Sequence, residues 1–183
     1  MNTSRRWNLL TNAQIRASAP ERQFDLLAFA YLDGAQELCA RLAESPTDAT
    51  FEKGTVVLYL AAHAVELFLK GSILRKAPKE RFAHDLDHIH NRYRALFPAQ
   101  RFALTSFPFA AEYPGLTKEE IAATKREQPD PSELHRYPVD KSGAPWEAAM
   151  GFEAESYLRE LSALRADFTR ILAAHDEVGK PIA

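Results

Sequence analysis

Apolar residues recur at helical spacing along most of the chain, and the pattern is clear from residue 18 onward. Ser18 is suited to be an N-cap, and Pro20 and Glu21 suit the first turn of a helix. Apolar residues then follow at steps of three, four and seven, which places them on one predicted buried face: Phe24, Leu27, Tyr31, Leu38 and Leu42. Ser45 and Pro46 predict the end of this helix.

The second predicted helix runs from about Phe51 to Lys76 and is apolar almost all round. A helix of this kind is one that other elements surround. Gly71 and Pro78 bracket its end. The segment is therefore predicted to be the central helix of the fold.

Two further helices are predicted, one from about Asp85 to Leu96 and one from about Glu147 to Glu177. Phe97 and Pro98 end the shorter helix. The longer helix carries a single predicted apolar stripe: Met150, Tyr157, Leu161, Leu164, Phe168, Ile171 and His175.

The segment between these two helices has a different composition. Its first part, Phe97 to Gly115, contains aromatic residues among prolines and is predicted to cover the core (Phe102, Phe107, Phe109 and Tyr113). Thr117 and Glu120 have the spacing of a capping box, which predicts a short helix to about Arg126. Residues 128–146 are rich in proline and have at most one short strand pair, near His135 to Val139.

Together these elements predict an all-α fold, an up-down bundle of four to five main helices. One domain of 183 residues with 46% hydrophobic residues is long enough to bury a core. Residues 1–17 are predicted to be an N-terminal extension, and residues 97–146 a loop-rich insertion between core helices.

Composition and charge narrow the setting. The single cysteine, Cys39, lies among apolar residues, which predicts a buried structural thiol in a reducing compartment. The N-terminus lacks a signal-peptide pattern, and the longest apolar run is interrupted by His63 and Glu66. We therefore expect a cytoplasmic protein without a membrane partner. A net charge of −2 argues against nucleic-acid binding by the whole surface but leaves a local basic patch open.

The central helix carries one polar stripe, at steps of four, three and four: Tyr59, His63, Glu66 and Lys70. In one interpretation the stripe is a solvated edge, where a Glu66–Lys70 pair stabilises the helix by only about 0.2–0.5 kcal/mol. In the other it is a polar site or a seam between protomers, and its buried charges need partners.

Histidines follow the central helix in the segment from His84 to His90. His84 and His88 could share a metal ion with oxygen from Asp85 or Asp87, although a third protein ligand would have to come from elsewhere. Because Asp85 suits the positive end of a helix dipole, we favour a helix start and predict neither a metal nor a cofactor. The sequence has no Ser-His-Asp order, phosphate-binding glycine loop or Cys-x-x-Cys pair.

Two consecutive segments resemble the HEPN superfamily of small helical domains. They are AAHAVELFLKGSILRK, from Ala61 to Lys76, and HDLDHIHNRYRAL, from His84. The family commonly has Glu-x-x-Leu-Lys in an Ala-rich helix and His-Asp-Leu at the start of the next. The matching positions are Glu66, Leu69, Lys70, His84, Asp85 and Leu86. HRYPVD, from His135 to Asp140, and the long C-terminal helix are also similar to the larger members.

The resemblance implies one of two kinds of function. Enzymatic members are metal-independent ribonucleases, often toxins or antiviral effectors, which carry an arginine and then a histidine on a late helix and act as dimers. Arg170 and His175, with four residues between them, match that arrangement. Other members are nucleotide- or partner-binding modules that accompany nucleotidyltransferases.

The leading hypothesis is a HEPN-like binding or accessory protein, a homodimer that engages a nucleotide, RNA or protein partner without catalysis. That protein partner would be a nucleotidyltransferase or an antitoxin. The predicted ligand-binding residues are Glu66, Lys70, His84, His63 and Tyr59. Two features argue against catalysis by Arg170 and His175. Ile171 replaces the polar residue that usually follows the arginine in the enzymes. His175 also lies on the apolar stripe, while Arg170 points away from it.

Two alternatives stay open. One is an endoribonuclease in which His175 is the general base or acid at the RNA 2′-hydroxyl and Arg170 stabilises phosphate charge. The other is a purely structural subunit, in which the polar stripe sets the register between helices.

Overall fold

The computed structural model describes residues 12–106, 117, 119–120, 123, 135–137, 139, 142–144 and 152–178, and these residues are mostly helical. The helices are α1 (Ala13–Arg16), α2 (Pro20–Glu44), α3 (Phe51–Lys76), α4 (Leu86–Leu96) and α5 (Ala154–Val178). Single 3-10 turns lie at Pro46–Asp48 and Gln100–Phe102. Within the described residues no strand forms, and Val139 makes one isolated β-bridge. The predicted all-α class is confirmed.

Helix α2 begins and ends close to the predicted residues, with one correction at its start. Ala19, and not Ser18, occupies the N-cap position. The carbonyl of Ser18 instead accepts a hydrogen bond of 2.8 Å from the Gln23 side-chain amide. Pro20 stands in the first turn, and Ser45 follows the last residue, as predicted.

The buried face of α2 is displaced from the predicted stripe. It consists of Asp25, Ala28, Leu32, Ala35, Cys39 and Leu42, whereas Leu27 is 38% exposed. The small residues at positions 28 and 35 are fully buried, whereas Phe24, Tyr31 and Leu38 of the predicted stripe are partly buried and pack against the core. The buried thiol of Cys39 is as predicted: it donates a hydrogen bond of 3.2 Å to the carbonyl of Ala154, and burial raises its pKa to about 11.

Helix α3 has the predicted bounds and is buried on most sides. Among the described residues it is the one helix long and apolar enough to cross a membrane, and 72% of its most apolar window is buried inside the protein. It pairs with α2 in antiparallel fashion, since Gly71 near the end of α3 lies against Phe24 near the start of α2. Phe68 stacks on Phe168 of α5, with ring centroids 3.8 Å apart.

The later helices do not continue the up-down alternation. Helix α5 runs in the same direction as α3, because Phe152 lies against Gly54 at one end and Phe168 against Phe68 further along. Helix α4 also runs in the direction of the second half of α3. Residues 77–85 first return along α3, so that His84 reaches Glu66 and the chain then passes Lys76 again at Leu96.

Helix α5 begins at Ala154, which is later than predicted. Phe152 and Glu153 are not helical, and the Glu153 carboxylate accepts backbone N–H bonds of 3.0 and 2.6 Å from Glu155 and Ser156. Met150 lies outside the described residues. The rest of the predicted stripe is confirmed in Leu161, Leu164, Phe168 and Ile171, which are fully buried.

Two parts of the predicted insertion are described. Phe97 and Phe102 are buried, so residues 97–106 do cover the core. The capping box is also formed: the Glu120 amide donates to Thr117 Oγ1 at 3.2 Å, and the Thr117 amide donates to Glu120 Oε2 at 2.8 Å. The aromatic residues at 107, 109 and 113, most of the short helix to residue 126 and most of the Pro-rich stretch lie outside the described residues.

Candidate functional site

A buried carboxylate on α3 brings three basic side chains together. Glu66 is 4% exposed. Its Oε1 lies 2.5 Å from Lys70 Nζ and 2.9 Å from His84 Nδ1, and its Oε2 lies 3.7 Å from His63 Nδ1. We call Glu66, Lys70, His63 and His84 the Glu66 cluster.

The cluster keeps Glu66 ionised. Burial raises the pKa of this carboxyl, but hydrogen bonds from His63 and Lys70, the charge of Lys70 and the hydrogen bond from His84 outweigh burial and lower it to about 2. Glu66 is therefore an anion at neutral pH and acts only as a hydrogen-bond acceptor.

Lys70 is buried together with its partner. Its side chain is 7% exposed, and Nζ lies 5.6 Å from the ring centroid of Phe82, in the connection between α3 and α4. Phe82 in turn meets the ring of Phe24 on α2 edge to face. The interpretation of the stripe as a solvated edge is therefore wrong for Glu66 and Lys70.

His84 connects the buried pair to solvent, since its side chain is 81% exposed. It is placed by the first turn of α4, where the Asp85 carboxylate accepts the His88 amide at 2.8 Å. Glu80 in the same connection accepts two bonds from the Arg92 guanidinium, at 3.1 and 2.9 Å. The predicted helix start at this segment is confirmed.

Tyr59 lies beside His63 and extends the Glu66 cluster along α3. Their rings are nearly parallel, at an interplanar angle of 5° with centroids 5.9 Å apart. Tyr31 of α2 meets His63 edge to face at 4.5 Å. The structure thus brings all five predicted ligand-binding residues into one group. Sequence reasoning missed Tyr31 and Phe82 as neighbours because they lie on other segments, where no local spacing relates them to α3.

Metal binding finds no further support at this site. Within the residues described above, no group of three or more His, Cys, Asp or Glu side chains is arranged to hold a metal ion. The connection between α3 and α4 does border an open cavity of about 410 Å³, lined by residues 77–80.

Arg170 and His175 hold the segment 97–106 against α5. The Arg170 guanidinium donates to the carbonyls of Arg101 and Ala103 and, at 2.7 Å, to Asp167. The His175 ring packs against Phe97 and Phe102, with centroid distances of 4.8 and 4.9 Å.

The environment of His175 keeps its imidazole neutral. Burial, and then the charge of Arg75, lower its pKa to about 4. Among the described residues, its buried Nε2 has no hydrogen-bond partner. Both members of the predicted catalytic pair therefore have structural surroundings, and neither lies in the Glu66 cluster.

The chain matches no protein-family model, no curated protein and no solved structure. Function is therefore inferred from the geometry of the Glu66 cluster and from the resemblance in its sequence.

Proposed function

We propose that this chain is a HEPN-like helical-bundle protein, cytoplasmic and dimeric, that engages a nucleotide, RNA or protein partner through the Glu66 cluster without catalysis. The observation that carries the proposal is the buried Glu66–Lys70 ion pair, which an exposed histidine connects to solvent.

Stability alone gives little reason to keep this ion pair. Removing two charges from water is costly, and replacing a buried pair by apolar residues is often neutral or stabilising by about 1–4 kcal/mol. Glu66 and Lys70 belong to the same helix, so the bond between them joins no two elements. A fixed charge that reaches the surface through His84 is instead useful for binding.

A second buried ion pair shows the contrast. Asp25 of α2 is 1% exposed and pairs with Arg75 of α3, so that pair joins two helices directly. Its structural role follows from its position. The Glu66 cluster differs because its outer member, His84, presents a ring to solvent.

The resemblance supports the same site. Glu66, Lys70 and His84 are three of the positions that match the HEPN pattern, and they meet in space although eighteen residues separate the first from the last. The pair implied for the enzymatic members does not share this environment, since Arg170 and His175 are used in packing residues 97–106. This favours the binding function over the ribonuclease.

Replacing His84 tests the proposal while both members of the buried Glu66–Lys70 pair stay in place. We expect His84→Ala to weaken binding of a fluorescent mixed-sequence single-stranded RNA or of fluorescent ATP by roughly tenfold, the value of one hydrogen bond to a charged group. Fluorescence anisotropy measures both affinities. His88→Ala, at an exposed histidine four residues later in the first turn of α4, is the matched control and should bind like the wild type.

Two results would count against the proposal. Equal affinity in the two variants would remove His84 from the site. Failure of the wild-type chain to bind either ligand would reject the nucleotide and RNA forms of the proposal. The dimer is checked by light scattering, where a monomer at high micromolar concentration contradicts a shared interface.

The ribonuclease alternative has its own test. We expect the purified chain to leave mixed RNA intact in EDTA, because Arg170 and His175 are committed to packing. Cleavage that is present in the wild type and lost in His175→Ala would overturn the non-catalytic assignment.

A further inference from the structure

One nitrogen of His84 is fixed and the other faces solvent. Nδ1 lies 2.9 Å from the Glu66 carboxylate, whereas the side chain as a whole is 81% exposed. We propose that Nε2 of His84 is a phosphoryl acceptor, which takes a phosphoryl group from a phosphoramidate or acyl-phosphate donor carried by another molecule. The inference rests on the proposed function only in that both use the Glu66 cluster.

The hydrogen bond to Glu66 determines which nitrogen can react. An ionised carboxylate only accepts hydrogen bonds, so the proton of a neutral His84 ring must be on Nδ1. The lone pair is then on Nε2, the nitrogen that does not face the carboxylate. At metal-binding histidines, a second partner that fixes tautomer and orientation contributes about 10- to 100-fold, and we expect Glu66 to act on His84 in the same way.

Charge balance in the cluster suits the transfer of an anionic group. A lone carboxylate beside His84 would repel an incoming phosphoryl group, but Lys70 Nζ lies 2.5 Å from the same oxygen of Glu66. The step itself creates positive charge on the ring. The Nε2 lone pair attacks phosphorus, the bond from phosphorus to the leaving group breaks, and that group departs with its electron pair. The imidazolium formed keeps its Nδ1 proton, which Glu66 stabilises.

The exposure of His84 favours a role in which the ring carries a phosphoryl group over a role as a general base in a small-molecule reaction. A general base works best where water is excluded, and a ring that is 81% exposed is not enclosed in this way. An acylated imidazole hydrolyses quickly in water, whereas a phosphorylated imidazole persists at neutral pH. A phosphoryl group on an exposed Nε2 is also within reach of a second macromolecule.

The experiment uses potassium phosphoramidate as the donor and the full chain as the acceptor. Intact mass and phosphorus NMR follow the reaction, and peptide mass spectrometry under neutral conditions locates the group. We expect His84 to be phosphorylated roughly tenfold faster than His88, which is also exposed and lies four residues away. His84→Asn should remove the fast phase. Glu66→Gln should slow His84 to the rate of His88.

A folding defect in Glu66→Gln does not remove the test. The ratio of the two labelling rates is also measured in the wild-type chain with and without urea, and it should be high when folded and close to one when unfolded. Equal labelling of the two histidines in the folded wild type overturns the inference. The inference is also overturned if Glu66→Gln keeps both its helical content and the fast phosphorylation of His84.

The two proposals fail in distinguishable ways. Selective labelling of His84 without RNA or ATP binding leaves the phosphoryl-acceptor assignment and rejects the nucleotide and RNA forms of the binding function. Ligand binding that depends on His84, without selective labelling, supports the binding function and rejects the phosphoryl-acceptor assignment.

Discussion

At the scale of single residues, the Glu66 cluster depends on charge compensation. Lys70 and Glu66 are 7% and 5% exposed in their side chains, so removal of either leaves the other charge buried. Lys70→Met should lower the free energy of unfolding by about 3–5 kcal/mol, because an uncompensated buried carboxylate remains. The double variant Glu66→Gln, Lys70→Met should lose clearly less. Urea unfolding followed by circular dichroism measures both.

An exposed pair provides the control for this prediction. Glu155 and Arg159 have the same i,i+4 spacing, but their side chains are 77% and 66% exposed. Arg159→Met should change stability by less than about 1 kcal/mol. If the double variant at 66 and 70 proves as unstable as Lys70→Met alone, charge compensation is not what Lys70 supplies.

Sequence spacing predicted the alignment of the polar stripe but not the burial of Glu66 and Lys70. Steps of four, three and four place Tyr59, His63, Glu66 and Lys70 on one side of α3 whatever surrounds it. The burial of Glu66 and Lys70 depends on a chain segment that returns over α3 and places Phe82 near Lys70. No local pattern in the sequence encodes that return.

At the scale of helices, α2 and α3 approach each other closely at Gly71. A Cβ atom there would lie 2.9 Å from Phe24 Cβ and 3.0 Å from the carbonyl oxygen of Glu21. Backbone cannot move aside cheaply, so Gly71→Ala should destabilise the protein by about 1–3 kcal/mol. Thermal unfolding measures the effect.

Gly34 is a matched control because it is also a helical glycine of the same pair. A Cβ at that position would meet its nearest neighbour, Leu60 Cδ1, at an ordinary 3.8 Å. Gly34→Ala should therefore be neutral or stabilising by up to about 1 kcal/mol, since alanine is the better helix former. A loss of stability equal to that of Gly71→Ala would show that packing distance does not separate the two sites.

The sequence predicted helices better than it predicted their faces. The bounds of α3 follow from its uninterrupted apolar character, and α5 kept its buried stripe despite a later start. The predicted stripe of α2 is confirmed at Leu42, but its other members are at most partly buried, and most of the fully buried positions lie one residue further along. The fully buried positions include the small residues Ala28 and Ala35, which a search for large apolar residues passes over, and Asp25, which pairs with Arg75 of α3.

At the scale of the whole molecule, long-range polar bonds set the chain path in ways that the sequence does not reveal. The connection 77–85 is long enough for α4 to run in either direction. In the observed direction, His84 of this connection lies against Glu66. Asp167 similarly accepts the amides of Thr105 and Ser106, at 2.5 and 3.0 Å, across sixty residues of sequence. Such pairings have no periodicity, so only the helices they join could be predicted.

The pH dependence of global stability separates two buried groups of this fold. His175 has a folded-state pKa of about 4, below its ordinary value of 6.5, because of burial and of Arg75, with a further contribution from Lys76 that Asp176 opposes. The unfolded chain therefore binds a proton before the folded chain does as pH falls. Stability present above pH 6.5 is lost between 6.5 and 4, by up to roughly 3 kcal/mol.

Glu66 affects stability at lower pH. Its pKa falls from 4.5 to about 2 on folding, so its contribution to stability is lost as pH falls through that range. Urea unfolding across both pH ranges should therefore show that His175→Gln reduces the loss of stability between pH 6.5 and 4 and leaves the loss below pH 4.5 in place. The control is His88→Gln at an exposed ring, which should retain the wild-type profile. A His175→Gln profile that still declines like the wild type between pH 6.5 and 4 would mean that the buried imidazole is not the group that titrates there.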